Sequence, residues 1–567
     1  ECSEMKLLLK NGNVVNVFTG ETEKTNVLIE DGRIISVGSY NTEADIVEDV
    51  QGKYVCPGFI DGHIHIESTM LLPEKFAEAA VPHGTTAVVA DPHEIANVCG
   101  KDGIEFMLRA SEGLPLTVYI MVPSCVPATR FDESGAVLGA DDIESFFGRD
   151  RVLGLAEMMN YPGVIYDDHD TIEKLRRTLS HGMLINGHAP LLSGAALDKY
   201  ISAGITDDHE CSSADEAIER IRKGQRIMIR QGTAARNLAG LISLFDEPYA
   251  HRCMLVTDDK HPADLISNGH IDDIIRQAVK LGKSAITGIR MATIQAAEYF
   301  GLRNKGAVAL GYDADILILG DLDTVKVQAV YKHGVKVAEN GECFPFEKPQ
   351  IPQELESRVR RSFNMPEVSA ESLKINASGK HTCRVIAVLS GQLITDEVHT
   401  EIDFDRNNGI DTERDILKIA VIERHNNTGH IGIGYISGIG IKQGAIASSV
   451  SHDSHNLIVI GTNEEDMALA ANRMREIGGG LITVCGGEIK AEMALPYGGL
   501  MTDADPHTAA ELNEQVRKSV HSLNAPLDIE PFMNMAFVSL PVIPHLKLTT
   551  LGLVDVDKQV LLELIVN

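Results

Sequence analysis

The sequence contains no run of about 18 uncharged apolar residues, and this absence excludes a membrane-spanning helix of ordinary length. Its start, Glu1 to Lys10, lacks a basic stretch followed by an apolar core, so we expect no signal peptide there. No Cys-x-x-Cys pair occurs among the nine cysteines, which are Cys2, Cys56, Cys99, Cys125, Cys211, Cys253, Cys343, Cys383 and Cys485. This scatter favours reduced thiols in a cytoplasmic protein over a disulfide framework.

Positive charge is also scarce. The chain has 51 lysines and arginines against 81 aspartates and glutamates, which gives a formal net charge of −30. Such a balance argues against binding to a nucleic-acid backbone, so we expect neither a nucleic acid nor a membrane as partner. With 567 residues, of which 44% are apolar, the chain is long enough for two or three domains with sizeable cores.

Short strands separated by tight turns occupy both flanks of a long middle region. Asn11-Gly12 and Asp31-Gly32 stand between β-rich runs and indicate hairpins. A similar texture returns at 314–337. We therefore predict one small discontinuous β-sandwich domain, built from residues 1–56 and 303–345 on either side of an inserted domain.

The middle region alternates short apolar runs with longer helix-like stretches. Over residues 57–302 this alternation predicts a (β/α)8 TIM-like barrel, with an open doubly wound sheet as the alternative. The apolar runs end in His, Asp or Glu, as expected if functional groups ring the carboxyl face of a barrel. Residues 346–567 mix strands with helices and predict an additional C-terminal α+β domain, so the whole chain is of the α/β class.

Two histidines one residue apart, His63 and His65, follow the Pro-Gly-Phe-Ile-Asp-Gly run that begins at Pro57. In a strand, residues i and i+2 point to the same face, so both rings would reach one metal ion from one direction. An isolated His-x-His pair is more often incidental. Here the glycines allow a tight turn at the strand end, and that context favours a ligand pair.

Further polar side chains follow the later apolar runs, in an order that matches successive βα units: Asp91, His93, Glu94, Glu157, Asn186, His188, His209, Glu210, Asp258 and Asp259. Each residue alone is also compatible with a buried histidine, a surface carboxylate or a helix cap. Together they offer imidazole nitrogens and carboxylate oxygens, which is the ligand set of a divalent transition metal.

These motifs resemble the amidohydrolase superfamily of metal-dependent hydrolases and, within it, the adenine deaminases. The resemblance covers nearly the whole chain, and its strings lie at 57–68, 91–98, 155–164, 186–190, 205–210, 257–265 and 451–456. It implies a TIM-like barrel, two divalent metal ions and hydrolysis of adenine to hypoxanthine and ammonia in purine salvage. It also implies a C-terminal domain that covers the barrel mouth, and we expect a homo-oligomer, either a dimer or a tetramer.

The resemblance also implies a metal ligand set. His63, His65 and Asp258 would bind the more buried ion, and His188 and His209 the second. Many relatives bridge their two ions with a carboxylated lysine, but this chain offers Glu157 at the corresponding strand end. The oxygen-rich site without thiolates favours Mn²⁺ and leaves Fe²⁺ or Zn²⁺ open.

The implied chemistry is attack of a metal-bridging hydroxide on C6 of adenine. Asp258 would accept a proton from the attacking water, while Glu210 and His93 are candidates for proton delivery at N1, an assignment that stays open. Glu94 would help to order the purine. A polar C-terminal stretch, whose alternative is a surface turn, would line the substrate pocket with His452, Asp453, His455 and Asn456.

Three alternatives compete with this interpretation. Cytidine-type deaminases need His-x-Glu and a later Pro-Cys-x-x-Cys; His65 and Glu67 supply the first, but the second is absent from the sequence. A cyclic amide hydrolase of the dihydroorotase or hydantoinase kind shares the barrel, yet the missing lysine and the extra domain argue against it. A catalytically dead scaffold would not need the complete ligand set.

Overall fold

The computed structural model describes residues 5–40, 42–389 and 392–566, so Cys2 lies outside the described residues. The amino-terminal part is a run of β-strands joined by tight turns: β1 (Lys6–Asn16), β2 (Glu21–Glu30), β3 (Arg33–Val37), β4 (Ile46–Asp49) and β5 (Tyr54–Pro57). β1 pairs antiparallel with β2 and parallel with β5. Asp31 lies in the turn between β2 and β3, as predicted, and has positive φ. The hairpin predicted at Asn11-Gly12 is wrong, because β1 continues through both residues with a bulge in its pairing with β2, and the turn lies at 17–20.

The middle of the chain is a cylinder of parallel strands: β6 (Phe59–Ile64), β7 (Thr85–Ala90), β8 (Thr117–Val122), β9 (Val152–Met158), β10 (Leu184–Gly187), β11 (Asp207–Asp208), β12 (Arg226–Arg230) and β13 (Cys253–Val256). All residues of β6, β7 and β13 are buried, which is typical of parallel strands covered on both faces.

The cylinder closes where β6 meets the end of β13. Asp258 donates its backbone N–H to His63 and accepts one from His65, at 2.9 and 3.0 Å. Between β10 and β11, the backbone N–H of Thr206, just before β11, donates to the carbonyl oxygen of Ile185 in β10. The closure therefore lies at residues that the sequence singles out as ligands.

Helices follow the strands and cover the outside of the barrel: α1 (Pro73–Ala80), α2 (His93–Cys99), α3 (Lys101–Ala110), α4 (Ala140–Glu144), α5 (Tyr161–Ile165), α6 (His169–Ser180), α7 (Gly194–Ser202), α8 (Ala214–Arg222), α9 (Leu238–Leu241), α10 (Pro262–Asn268), α11 (Ile271–Lys280), α12 (Ala285–Met291) and α13 (Ile294–Tyr299). Local chemistry sets their starts. The Asp168 side chain accepts from the Thr171 N–H and caps α6, and the Ser213 side chain caps α8 in the same way.

The chain then returns to the first sheet through β14 (Ile316–Leu319), β15 (Val327–Lys332), β16 (Val335–Glu339) and β17 (Glu342–Cys343). β14 pairs antiparallel with β5. Within the described residues, the strands that precede the barrel in the sequence and those that follow it therefore form one sheet of nine strands. This sheet has a hydrophobic core of its own, which includes Leu9, Ile29, Ile316 and Tyr331.

The carboxyl-terminal part is built around a second sheet. Its strands are β18 (Lys380–Val388), β19 (Thr395–Asp403), β20 (Leu417–Ile422), β21 (Ile431–Ser437), β22 (Ala445–Ser448), β23 (Leu457–Gly461), β24 (Gly480–Cys485), β25 (Glu488–Ala494), β26 (Leu546–Thr549), β27 (Gly552–Asp555) and β28 (Val560–Leu562). Its helices are α14 (Gln353–Arg360), α15 (Glu464–Ile477), α16 (Pro506–Ser519) and α17 (Pro531–Met535). β18–β25 form the main sheet, and β26–β28 a smaller one.

This carboxyl-terminal part touches the barrel close to the first strand end. Thr502 donates its backbone N–H to Met70 at 2.8 Å, and Leu72 donates back to Thr502 at 3.1 Å. On another side the Asn456 amide donates to the carbonyl of Glu133, in the loop after β8, at 2.8 Å. The predicted fold class, with its parallel barrel and additional domains, is confirmed. The domain boundaries given above stay a prediction.

Among the described residues, no helix is both long and apolar enough to cross a membrane.

Gly154 leads to a prediction about the barrel, because it pairs with Leu184 of β10 and leaves no room for a side chain there. A Cβ atom at Gly154 would lie 2.1 Å from the carbonyl oxygen of Leu184, which is backbone and cannot move aside easily. We expect Gly154→Ala to lower the free energy of unfolding by about 1–3 kcal/mol, as overpacked cores do. The apparent melting temperature should fall below that of the wild type.

Gly139→Ala is the matched control for that measurement. A Cβ atom there meets nothing within 4 Å, and the φ of −86° suits alanine. Equal melting temperatures for both variants would contradict the close approach of β9 and β10.

Candidate active site

The carboxyl ends of the barrel strands bring the sequence-predicted ligands together. His63 lies in β6 and His65 directly after it; Glu157 lies in β9, His188 follows β10, and His209 follows β11. Asp258 follows β13. Because the strands are parallel, these ends meet at one face of the barrel. All six predicted metal ligands therefore lie in one cluster, although they are spread over nearly 200 residues of sequence.

Glu157 stands between two pairs of histidines and is only 3% exposed. Its Oε1 atom lies 3.2 Å from His65 Nε2 and 3.8 Å from His63 Nε2. Its Oε2 atom lies 2.7 Å from His188 Nδ1 and 3.2 Å from His209 Nε2. One carboxylate thus offers one oxygen to each pair of imidazoles.

Asp258 completes the first pair. Its Oδ1 atom lies 3.4 Å from His63 Nε2 and 3.1 Å from His65 Nε2. Its φ is +61°, a left-handed conformation that aspartate tolerates better than most residues. The closure of the barrel at this residue fixes the side chain between the two rings.

The hydrogen bonds of the histidines test whether a metal ion fits this cluster. His65 Nδ1 lies 2.8 Å from the carbonyl of Asp91, so this nitrogen carries a proton, and with a metal ion bound the neutral ring would present the lone pair of Nε2. That lone pair faces the oxygens of Glu157 and Asp258. His63 Nε2, also buried, has no hydrogen-bond partner among the described residues. Lone pairs that face carboxylates need a cation between them, and the residues therefore fit a divalent metal.

The electrostatics of the cluster without an ion show the same need. Burial alone would lower the pKa of both His65 and His209. Asp258 and Glu157 nevertheless hold the pKa of His65 well above the ordinary range. Glu157 and Glu210 do the same for the pKa of His209. Burial would raise the pKa of Glu157, but His209 and His188 hold it well below its usual value. The ionised carboxylates are thus stabilised by neighbouring positive charge, which either protons or metal ions can supply.

Arg230 is a site residue that the sequence analysis missed. It ends β12, is buried, and binds both oxygens of Glu210 through Nη1 and Nη2 at 2.7 and 3.0 Å. Nη1 also donates to Asp258 Oδ2 at 2.9 Å. The signal was present, because Arg230 follows the apolar run Ile227–Ile229 at a strand end just as the predicted ligands do. Glu210 is therefore an ionised acceptor held beside the cluster of histidines and carboxylates.

His93 begins α2 and lies beside the cluster. Its Nδ1 is 3.1 Å from Asp91 Oδ2 and 3.5 Å from Glu157 Oε1, and its Nε2 is 3.1 Å from Glu94 Oε1. Carboxylates thus face both ring nitrogens, which suits a doubly protonated imidazolium. Burial alone would lower the pKa of His93, but Asp91 and its other acidic neighbours raise it well above the ordinary value.

The predicted C-terminal stretch divides into two groups. His452 and Asp453 line the cavity above the metal cluster. His455 and Asn456 lie behind the wall: His455 Nε2 contacts Glu94 Oε2, and the Asn456 carboxamide binds the backbone of Arg424 and Glu133. The structure therefore does not bring His455 and Asn456 to the cavity, although His455 contacts Glu94, which reaches it.

The cavity has a volume of about 620 Å³, which is within the usual range of about 300–1,000 Å³ for small-molecule sites. Its floor carries the metal cluster, Glu94, Glu210 and Asp259. Its rim is apolar and comes from both parts of the chain. The barrel contributes Met159, Tyr161, Pro190, Leu191 and Leu192, and the carboxyl-terminal part contributes Leu393, Ile394, Phe537, Leu540, Val542, Ile543 and Pro544. Phe537 is the second residue that sequence reasoning missed, because nothing local marks an apolar residue as a cavity wall.

Two family models match the chain. The model described as the amidohydrolase family covers residues 54–337, and the model described as the adenine deaminase C-terminal domain covers residues 392–560. The first matches the barrel with its cluster, and the second matches most of the carboxyl-terminal part, which contributes to the rim.

Curated relatives match almost from end to end. Adenine deaminase 2 of Carboxydothermus hydrogenoformans is 46% identical over 97% of this chain and 95% of its own length. The adenine deaminase of Desulfatibacillum aliphaticivorans is 43% identical over the same shares. That of Oleidesulfovibrio alaskensis is 44% identical over 98% and 96%.

The position of Glu157 predicts the metal content of a variant. Glu157→Gln keeps the shape but removes the negative charge that serves both histidine pairs, so we expect less bound metal per chain than in the wild type. Elemental analysis after dialysis measures this content. Glu105→Gln, outside the cluster, is the control and should bind as the wild type does. A Glu157→Gln protein that keeps the full wild-type content would refute the shared role.

From the contacts of Arg230 we predict that this residue stabilises the metal-depleted protein. Arg230→Met leaves Glu210 and Asp258 buried without their guanidinium, and breaking a buried ion pair in this way costs about 3–5 kcal/mol. We expect a clear fall in the apparent melting temperature, with a smaller fall for Arg230→Lys, which keeps the charge but not the two-pronged contact. Arg226→Met, at the start of the same strand, is the control. If Arg230→Met has the same melting temperature as the wild type, the contacts of Arg230 with Glu210 and Asp258 do not stabilise the protein.

Proposed function

The chain belongs to the adenine deaminases of the amidohydrolase superfamily, and from this membership we propose how its residues carry out the reaction. The enzyme hydrolyses the exocyclic C–N bond of adenine and releases hypoxanthine and ammonia, a step that is consistent with purine salvage. A divalent metal is part of this family's chemistry, and the nitrogen and oxygen donors at the barrel mouth fit one.

Our proposal for the metal centre is a pair of ions. His63, His65 and Asp258 would hold one ion, His188 and His209 the other, and Glu157 would bind both. The observation that carries it is the position of Glu157, whose two oxygens face the two histidine pairs separately at 2.7–3.8 Å. The absence of thiolates from this described cluster favours Mn²⁺, with Fe²⁺ or Zn²⁺ as alternatives.

When bound, such a pair lowers the pKa of a water molecule and supplies hydroxide near neutral pH. Asp258 is our candidate for the acceptor of the proton that this water loses, because Oδ1 faces the cluster while Arg230 holds Oδ2. The guanidinium fixes the carboxylate in one orientation, as a positioned base requires.

We propose that Glu210 and His93 contact the purine, Glu210 to order it and His93 to supply a proton. Both oxygens of Glu210 accept from Arg230, so this side chain is an acceptor and would order the substrate through an N–H group. His93 has carboxylates at both nitrogens and would deliver a proton to N1 or to the departing amino group. The apolar rim would exclude further water from the reacting carbon.

The remaining expectations concern the setting of the enzyme. We propose a cytoplasmic enzyme, which agrees with the eight described cysteines all being free thiols. A homo-oligomer, dimer or tetramer, stays part of the proposal.

The reaction is tested with metal-loaded protein and free adenine, followed by the ultraviolet change to hypoxanthine and by ammonia release. We expect turnover that falls about 10²–10⁴-fold in Asp258→Asn, which keeps the shape of the side chain but removes its basicity. Dihydroorotate serves as the control substrate and should remain unchanged. Turnover of dihydroorotate without turnover of adenine would reverse the assignment to a cyclic amide hydrolase.

A further inference from the structure

His452 brings a titratable ring from the carboxyl-terminal part of the chain to the wall of the cavity. The side chain is 8% exposed, and its Nδ1 atom lies 2.7 Å from Glu94 Oε1 of the barrel. His93 contacts the same oxygen at 3.1 Å, on the side toward Glu157. His452 therefore extends the polar floor away from the metal cluster.

The neighbouring His455 shows what Glu94 does. The Ser451 backbone N–H donates to His455 Nδ1 at 3.1 Å, so that nitrogen carries no proton and Nε2 does. This Nε2–H points at Glu94 Oε2. A protonated nitrogen is not a metal ligand, so the trio of Glu94, His452 and His455 is a hydrogen-bonded network rather than a third metal site. Glu94 accepts from both rings and is a positioning carboxylate.

Three contacts hold the His452 ring in one orientation. Glu94 fixes Nδ1, and Phe537 stacks on the ring with 4.5 Å between centroids and 9° between planes. The His452 backbone N–H donates to Ala536 at 2.9 Å, next to Phe537. The other ring nitrogen, Nε2, has no hydrogen-bond partner among the described residues, while the ring itself lines the cavity. One nitrogen of a fixed ring is thus left to meet a ligand.

We propose that His452 donates its Nε2–H to a purine ring nitrogen that is not bonded to the reacting carbon, N3 or N7, and that Glu94 is the residue that positions it. This proposal deepens the proposed function and rests on it. N3 and N7 are the ring acceptors of adenine besides N1. N1 adjoins C6 and therefore belongs next to the metal cluster and His93, whereas His452 lies beyond Glu94.

The charge around His452 supports a donor. Burial alone would lower the pKa of His452, but Glu94, with smaller contributions from Asp259 and Asp453, raises it to about 9. The imidazolium then carries a proton on both nitrogens near neutral pH. Purine selectivity would thus depend on the carboxyl-terminal domain, while bond cleavage depends on the barrel.

Two variants separate the two nitrogens of His452. His452→Asn keeps an amide near the position of Nδ1 for Glu94 but removes the N–H at the position of Nε2. His452→Gln keeps an amide N–H near the position of Nε2. We compare kcat/KM for adenine, 3-deazaadenine and 7-deazaadenine in the wild type and both variants, with metal content measured for each protein.

We expect the wild type to lose about 10- to 100-fold in kcat/KM on one of the two deaza analogues, the loss typical of a hydrogen bond from a charged donor. His452→Asn should lose a similar factor on adenine with unchanged metal content and should no longer distinguish adenine from that analogue. His452→Gln should keep part of the discrimination. Glu94→Gln should raise KM for adenine more than it lowers kcat.

Discrimination by His452→Asn equal to that of the wild type would overturn the proposal, as would a wild type indifferent to both analogues. A wild type that leaves adenine itself unchanged is a different result, because it would refute the proposed function before His452 is tested.

Discussion

The structure depends on one buried carboxylate that lies between two pairs of imidazoles. Glu157 is 3% exposed, and a carboxylate at that depth is costly unless positive charge surrounds it. Its two oxygens face different histidine pairs, so neither pair can move without changing the other. The same constraint explains why the ligands occupy strand ends: only the parallel barrel brings residues this distant in sequence to one face with fixed separations.

Arg230 shows how the barrel balances the negative charge that remains. Glu157, Glu210 and Asp258 are three carboxylates within one cluster, and two of them accept from this single guanidinium. Arginine suits that task, because its planar fork binds two acceptors and stays charged when buried. The contact with Asp258 Oδ2 leaves Oδ1 turned toward the histidines. The arginine therefore orients the carboxylate as well as neutralising charge.

The sequence predicts the barrel ligands well, because each depends on a local rule: a polar residue lies at, or one or two residues beyond, the carboxyl end of an apolar strand. That rule gives His63, His188 and Asp258 from the order of the chain alone. Arg230 obeys it too, but a cation was not expected among metal ligands. Phe537 obeys no local rule, since its position on the cavity wall depends on how the carboxyl-terminal domain meets the barrel. The different fates of His452 and His455, three residues apart, depend on the same packing.

The carboxyl-terminal domain also explains the size and polarity of the cavity. The barrel end alone would be an open face, and water would compete for every polar group on it. An apolar wall beside the cluster includes Leu393, Phe537 and Leu540. This wall lowers the local dielectric constant, so the electrostatic contacts on the cavity floor become stronger. His452 enters through that wall already bound to Glu94 of the barrel. The same contact thus joins the carboxyl-terminal part to the barrel and holds the His452 ring at the cavity wall, so the proposed substrate contact of His452 would depend on the correct docking of the domain.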